Sequence, residues 1–358
     1  MVAGESDGRP FFSIGVTTYN RHDLLRETLV SILAQTFTDF EVIVGNDFTE
    51  ELLSGEMLGI DDPRVRFVNH PENLREVGNM NALLEMATGR YFTWLFDDDL
   101  YESCFLQVAF ENLRTTGYPS AFFCSYKIAS SEELSRPSEL KARPAIQLTG
   151  KEFLHWYSVF HARLFPTFGV FDRIELKNRV GGYEELSAGP MALYSEYLFL
   201  AGCGQLDRIV FVDAPLYLYR LHEGSYSETN TFLEQYTVAG RNLINRSREV
   251  LAKGVLASDF PANLMKVCSL HLIEFAHKLG SHVHYLPTES RNDFGARAAC
   301  RMIAWHWRES AGVWKQYLSL GGDRGIRSRF EFLKVRLFCN YRILSHYFHF
   351  FKRGHDGE

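Results

Sequence analysis

The first 130 residues alternate short β-branched or aromatic runs with stretches of helical periodicity. Strands joined through helices pair in parallel, so this alternation constrains the chain to βαβ units feeding a mostly parallel sheet. Phe12 to Tyr19 (FSIGVTTY) reads as the first strand, and Asn20 as the cap of a helix whose Leu24, Leu25, Leu29 and Ile32 recur at helical spacing. Glu41 to Val44 and Val65 to Val68 read as the second and third strands, and Asn79 to Ala87 as a helix with Gly89 at its C-cap. A fourth strand, Tyr91 to Phe96, runs straight into Asp97-Asp98-Asp99, and Ala121 to Ala129 makes a fifth.

Beyond this region a polar stretch (SSEELSRPSELKARP) reads as a surface loop or lid. Arg208 to Val212 and Leu216 to Tyr219 read as strands around Pro215. From about Thr231 the periodicity is helical, with Leu233, Leu243, Leu251, Leu264, Leu272 and Ile273 in long stretches that have few β-type runs. The expected organisation is an α/β unit over residues 11–228, divided into halves 11–130 and 131–228, followed by a helical region over 229–358.

Composition narrows the function classes. The 358 residues carry 38 Lys plus Arg against 44 Asp plus Glu, a net charge of −6. A dedicated nucleic-acid binder needs a basic excess, so no nucleic-acid partner is expected. Six cysteines occur with no C-x-x-C pair, which argues against a zinc site or a thioredoxin motif and suits a reducing compartment. Met1 to Pro10 has no basic or apolar leader pattern, and no apolar run is long enough to span a bilayer. The expectation is a cytoplasmic protein, peripheral at most at the inner face of the membrane.

Polar residues follow four successive strands: Thr17-Thr18-Tyr19-Asn20, Asn46-Asp47, His70 to Arg75, and Asp97-Asp98-Asp99. Ligands of open parallel sheets bind outside the carboxyl ends of the strands, so these four groups converge on one cleft. Neither G-x-G-x-x-G after the first strand nor G-x-x-x-x-G-K-[ST] occurs, so glycine backbone does not cradle a phosphate here. Three adjacent carboxylates at a strand end are held ionised most favourably around a divalent cation, and hard oxygens suit Mg²⁺ or Mn²⁺. The bland alternative is a solvated acidic turn. Side chains alternate on a strand, so Asp97 and Asp99 are expected on one side and Asp98 on the other, unless the chain has already turned.

Together these residues resemble the inverting nucleotide-sugar glycosyltransferases of family 2, which have the GT-A fold. The resemblance runs through Thr17-Thr18-Tyr19-Asn20-Arg21, Ser31-Ile32-Leu33-Ala34-Gln35-Thr36, Val44-Gly45-Asn46-Asp47-Phe48-Thr49, Asn73-Leu74 through Gly78-Asn79-Met80-Asn81, and Ala87-Thr88-Gly89-Arg90-Tyr91. It continues into Gly181-Gly182-Tyr183-Glu184-Glu185 and the segment PLYLYRLHEGSYS from Pro215, covering roughly residues 12–227. Where the family has an acidic pair that supplies the catalytic base, this chain reads Ser195-Glu196-Tyr197, a departure that moves the carboxylate one methylene outward.

The resemblance implies a Rossmann-like α/β sheet and transfer from a nucleoside-diphosphate sugar, a UDP-sugar in preference to a GDP-sugar, to a glycan or lipid-linked acceptor. It implies that Asp47 bonds the nucleobase, Tyr19 stacks on it and Thr17 lines the same pocket, with Arg75 near base or diphosphate. Asp97 would face the ribose and sugar, and Asp98 and Asp99 the Mn²⁺ or Mg²⁺ ion, with Asp97 and His222 as further candidate ligands. Glu196 would be the base of a single displacement. Plain packing for Tyr19, a capping role for Asp47 and solvation for Arg75 are the rival readings. A nucleotidyltransferase and a non-catalytic nucleotide-sugar-binding protein are the competing functions.

Between Arg324 and Arg353 lie eight Lys or Arg, one acid (Glu331) and eight Phe or Tyr. Phe330, Leu333, Leu337, Tyr341, Leu344, Phe348 and Phe351 follow a three-four spacing, which specifies a helix with one apolar face and basic flanks. Such a helix fits either an anionic membrane or a protein surface, its own or a subunit's.

Overall fold

The computed structural model describes residues 8–130, 144–160, 169–189, 192–222, 233–252 and 288–330, with 265–266, 268–269, 272, 332–333 and 337. Most of the polar stretch after Ser130, Leu264, Ile273, and the aromatic residues from Tyr341 to Phe351 lie outside the described residues.

Among the described residues nine strands form one sheet in the order β3-β2-β1-β4-β8-β6-β9-β5, with β7 also paired to β9. The strands are β1 (Phe12–Thr18), β2 (Phe40–Asn46), β3 (Val65–Asn69), β4 (Tyr91–Phe96), β5 (Leu100–Tyr101), β6 (Ala121–Ser130), β7 (Ile146–Leu148), β8 (Val170–Asp172) and β9 (Ile209–Leu221). β3, β2, β1 and β4 are parallel, and β8 joins antiparallel to β4 and β6. β1 and β4 are buried along almost their whole length, as their continuous apolar runs require in a sheet covered on both faces.

The covering helices are α1 (His22–Leu33), the short α2 (Gly55–Leu58), α3 (Arg75–Met86), α4 (Phe105–Thr115), α5 (Gly150–Phe160), α6 (Ser195–Gly202), α7 (Leu233–Ala252) and α8 (Thr288–Ser319). α1 turns Leu25, Thr28, Leu29 and Ile32 into one core layer with Val16, Leu95 and Phe105. The opposite layer holds Leu83, Phe92, Trp94 and Phe171 and takes in Leu243 from α7 and Trp314 from α8. The C-terminal helices thus share a core with the sheet.

Several local expectations are corrected. Asn20 is not the cap of α1: it stands in the left-handed region at φ 52°, a conformation asparagine tolerates, and Arg21 takes the N-cap position without a side-chain cap bond. Gly89 is not a C-cap either. α3 ends at Ala87 in an extended conformation, and a Cβ on Gly89 would fall 2.8 Å from the backbone of Phe12 and Ser13, so glycine is needed there for close approach to β1. The two strands around Pro215 are one strand, β9, whose pairing with β6 shifts register beside Pro215 because proline gives the ladder no N–H.

The Ser-x-x-x-Gln-Thr pattern braces the turn after β4. Gln35 Nε2 donates to Glu102 O at 2.8 Å while its Oε1 accepts from Leu106 N at 3.0 Å, and Thr36 N donates to Ser103 O at 2.9 Å. α1 therefore grips the start of α4, and the acidic turn between β4 and β5 is held from behind.

Candidate active site

In the order β3-β2-β1-β4, consecutive connections leave β1 in opposite directions, which puts a crevice at the carboxyl ends of β1 and β4. The acidic turn lies there. Asp99 N donates to Phe96 O at 3.2 Å, and the Thr28 hydroxyl lies 2.9 Å from Asp97 O and 2.8 Å from Asp99 O, so α1 fixes the turn's backbone.

The turn replaces strand alternation by a different split. Asp97 and Asp98 face one cation: Arg21 Nη1 lies 3.2 Å from Asp97 Oδ1 and 2.8 Å from Asp98 Oδ2. Asp97 Oδ2 also accepts from the Thr18 hydroxyl at 2.7 Å and, more weakly, from Tyr19 N at 3.4 Å. His222 Nε2, at the end of β9, lies 3.1 Å from Asp98 Oδ2. Asp99 points away from this group, accepting from the Tyr217 hydroxyl at 2.8 Å and from Arg220 N at 3.0 Å.

Electrostatics follow from that burial. Desolvation, reinforced by the neighbouring charge of Asp98, pushes the Asp97 carboxyl up to about 6 against the opposing pull of Arg21. Asp99 is pushed well above the ordinary carboxylate range by the same two causes. Beside it the buried Arg220 bonds Glu27 at 2.6 Å, and its Nε and Nη2 have no hydrogen-bond partner among the described residues.

A second group lies at the end of β2. Asp47 is buried, and its Oδ1 accepts from Leu74 N at 2.6 Å at the N-terminus of α3. Burial raises its carboxyl, and the amides of Leu74 and Arg75 partly offset the rise. Tyr19 is 52% exposed and meets Phe48 edge to face, with ring centroids 5.3 Å apart. Thr17 is half-buried and in register with Phe96 of β4, one residue before Asp97, and with Gly45 of β2, two residues before Asp47.

The third group comes from the Gly-Gly-Tyr-Glu-Glu turn. Asn81 clamps Tyr183 by two 2.8 Å bonds, one to its carbonyl and one from its amide, and a Cβ on Gly182 would fall 2.1 Å from Asn81 Oδ1. Tyr183 stacks on Phe199 at 4.3 Å; its buried hydroxyl has no hydrogen-bond partner among the described residues, and burial with the nearby carboxylates of Glu196 and Glu76 raises it well above its ordinary value. Glu196 stands in the first turn of α6, after Tyr194, which adopts φ 64°. Glu76 accepts from Ala192 N at 3.0 Å, and its carboxyl is raised by burial and, less, by Asp98. Arg75 reaches across to Glu185 at 2.8 Å.

Asp97, Asp98 and His222 thus form one group at the end of β4, Tyr19 and Asp47 follow the neighbouring strands β1 and β2, Arg75 pairs with Glu185, and Glu196 lies in the first turn of α6 near Tyr183. Sequence reasoning assigned no role to Arg21, Thr18, Glu76 or Tyr217. Arg21 and Tyr217 lie inside the motifs already singled out, but their partners are 76 and 118 residues away, and no local pattern encodes such a separation.

The oxygen and imidazole donors of Asp98 and His222 suit Mg²⁺ or Mn²⁺, which take one or two protein carboxylates and complete their shell from phosphate oxygens and water. No group of three His, Cys, Asp or Glu placed to hold an ion by itself occurs among the described residues, so such an ion would draw its remaining ligands from a substrate.

A mostly parallel strand order that reverses at β1, with helices on both faces, places this sheet in the doubly wound α/β class. Residues 13–171 match the model of glycosyl transferase family 2, so this segment is a domain of that family, with the GT-A fold. The chain is 36% identical over 93 residues to the GalNAc(5)-diNAcBac-PP-undecaprenol beta-1,3-glucosyltransferase of Campylobacter jejuni, covering 25% of this chain and 30% of that one. It spans 61%, 13% and 54% of the lengths of three further curated relatives. Among solved structures, S. aureus TarS superposes with a TM-score of 0.54 at 14% identity over 86% of this chain and 54% of that one. TarS 1-349 in complex with UDP-GlcNAc gives a TM-score of 0.51 at 15% identity, covering 88% and 93%. These likenesses extend the fold to most of the chain.

Proposed function

We propose that the chain is a metal-dependent, inverting glycosyltransferase that moves a sugar from a nucleoside-diphosphate sugar, a UDP-sugar in preference to a GDP-sugar, to a hydroxyl of a glycan or lipid-linked acceptor. The observation that carries this reading is the meeting of Asp97, Asp98 and His222 at the β1/β4 switch point, beside Asp47 and the Tyr19–Phe48 pair. The sugar nucleotide bound by TarS and the undecaprenol-linked substrate named for the Campylobacter relative support the donor and acceptor classes.

In this reading Tyr19 and Phe48 offer aromatic surface to the base, Asp47 accepts from its N–H edge, Thr17 lines the pocket and Arg75 guards its rim. Asp98 and His222, backed by Asp97, would hold Mn²⁺ or Mg²⁺, and the ion would stabilise negative charge on the departing diphosphate. Asp99 fastens the turn to β9 through Tyr217 and Arg220, which leaves Asp97 and Asp98 as the carboxylates that would face the ion. Glu196 takes the proton of the acceptor hydroxyl as that oxygen attacks the anomeric carbon. The transferase unit is 11–228, with 229–358 bracing it where His306 of α8 meets Tyr194 next to Glu196.

Replacing Glu196 with Gln should abolish transfer while leaving binding of a UDP-sugar with Mn²⁺ within a fewfold of wild type. Transfer at the wild-type rate by E196Q would overturn the assignment of the base.

A lipid-linked acceptor also fits the C-terminal segment. Ile326, Phe330, Leu333 and Leu337, spaced four, three and four apart, are 88%, 64%, 52% and 57% exposed, while Phe332 on the inner side stacks on Trp314 at 4.0 Å. Eight bases and one acid give residues 324–353 a charge of +7 within a chain of −6, leaving −13 on the rest. An apolar stripe beside basic residues suits an anionic bilayer surface. No helix of the described residues is long and apolar enough to cross a membrane. Flotation with phosphatidylglycerol vesicles should carry the full chain and leave an I326E/F330E variant behind; equal flotation of both would refute this contact.

A further inference from the structure

Arg21 stands where a cation would be expected. Its Nη1 is 2.8 Å from Asp98 Oδ2, the same oxygen that His222 Nε2 meets at 3.1 Å, and it also reaches Asp97 Oδ1 at 3.2 Å. One guanidinium inside the chain thereby balances two adjacent carboxylates. Asp97 does not depend on it for partners, because Thr18 and Tyr19 already bond its other oxygen.

The backbone leaves this side chain free to change partners. Arg21 precedes α1, and what it gives the helix is its carbonyl, which accepts from Leu25 N at 2.9 Å; its side chain makes no cap bond. The guanidinium is a quarter exposed, at the mouth of the crevice. It can swing away from the acidic turn without breaking a helical bond.

We propose that Arg21 is an exchangeable counter-ion: it occupies the Asp97–Asp98 pair in the donor-free protein and passes to the donor's diphosphate when a divalent cation takes that pair. The inference rests on the reading of this crevice as a cation and nucleotide-sugar site. A guanidinium and a dication cannot share Asp98 Oδ2 without strong repulsion, so one displaces the other. The displaced guanidinium is then beside a diphosphate, whose oxygens match its planar fork. Cation alone binds weakly because it must evict Arg21, whereas diphosphate compensates the eviction. Each ligand therefore strengthens the other by the same factor.

The test is Mn²⁺ binding followed by electron paramagnetic resonance of the free ion, with and without UDP, in wild type and R21Q. Wild type should bind Mn²⁺ weakly alone and more tightly with UDP. R21Q should bind Mn²⁺ alone on the order of tenfold more tightly than wild type, as expected when a unit charge a few ångströms from a dication is removed, and UDP should then add correspondingly less. R21M, which keeps the length of the stem, carries the same expectation should R21Q fail to fold. An R21Q affinity for Mn²⁺ alone equal to or weaker than wild type would overturn the exchange while leaving the site reading in place, as would an undiminished effect of UDP. Wild type that binds no Mn²⁺ with or without UDP would overturn the site reading itself and the exchange with it.

Discussion

Arg75 and Glu185 form a two-pronged ion pair, Nη1 to Oε1 at 2.8 Å and Nη2 to Oε2 at 3.0 Å, that ties the start of α3 to the Gly-Gly-Tyr-Glu-Glu turn. Arg75 makes this contact from φ 61°, a left-handed conformation that costs a non-glycine residue roughly 1–2 kcal/mol. The pair is largely solvent-exposed, and exposed pairs typically return only about 0–1 kcal/mol. The clamp is therefore better explained by positioning than by stability. R75G, which relieves the backbone and loses the pair, should unfold within about 1 kcal/mol of wild type yet transfer sugar more slowly. A large loss of stability in denaturant titrations would contradict this account.

Asp97 makes stability depend on pH. Its carboxyl is raised to about 6 in the folded chain, whereas an unfolded aspartate titrates near ~3.9. Between those values the folded state holds a proton that the unfolded state releases, so the contribution is fully present below pH ~4 and is lost as pH rises through about 6. Its size is on the order of 2–3 kcal/mol. D97N keeps a protonated-like amide at that position, so its stability relative to wild type should improve from pH 4 to pH 7 in metal-free buffer. A difference that stays flat across this range would count against the burial argument.

His306 acts with the opposite sign. Burial lowers its imidazole to about 4, its Nδ1 lies 3.3 Å from the Tyr194 hydroxyl, and its Nε2 has no partner among the described residues. An unfolded histidine takes its proton near ~6.5, so the unfolded state binds more protons between pH 4 and 6.5 and stability falls as pH drops through that window. The full loss is on the order of 3 kcal/mol. H306L should be less sensitive to acid than wild type in urea unfolding at pH 7 and pH 4.5; parallel losses in the two proteins would show that His306 is not the group responsible.

β1 and β4 were legible because they are buried almost throughout and read as continuous apolar runs, β2 and the half-buried β3 because β-branched and aromatic residues cluster in them, and the polar residues at the strand ends gave away the crevice. β5 was not legible: Leu100–Tyr101 is extended because Leu218 and Tyr217 pair with it from more than 100 residues away. α4 escaped because its apolar face, led by Phe105, Leu106, Ala109 and Leu113, follows too closely on the acidic turn to stand out as a separate element. The split of the triplet is of the same kind. Alternation would group Asp97 with Asp99, but the turn held by Thr28 groups Asp97 with Asp98 and gives Asp99 to Tyr217. Local pattern located the carboxylates; long-range contacts decided what each one faces.

The most direct test of the central claim is calorimetric titration of UDP into wild type and D98N, each with Mn²⁺ and with chelator. Wild type should bind UDP with Mn²⁺ and lose at least about tenfold in affinity when the ion is removed, the scale expected for losing one charge-assisted contact. D98N should bind equally weakly under both conditions. UDP affinity that is the same in all four titrations would contradict a cation held at the end of β4.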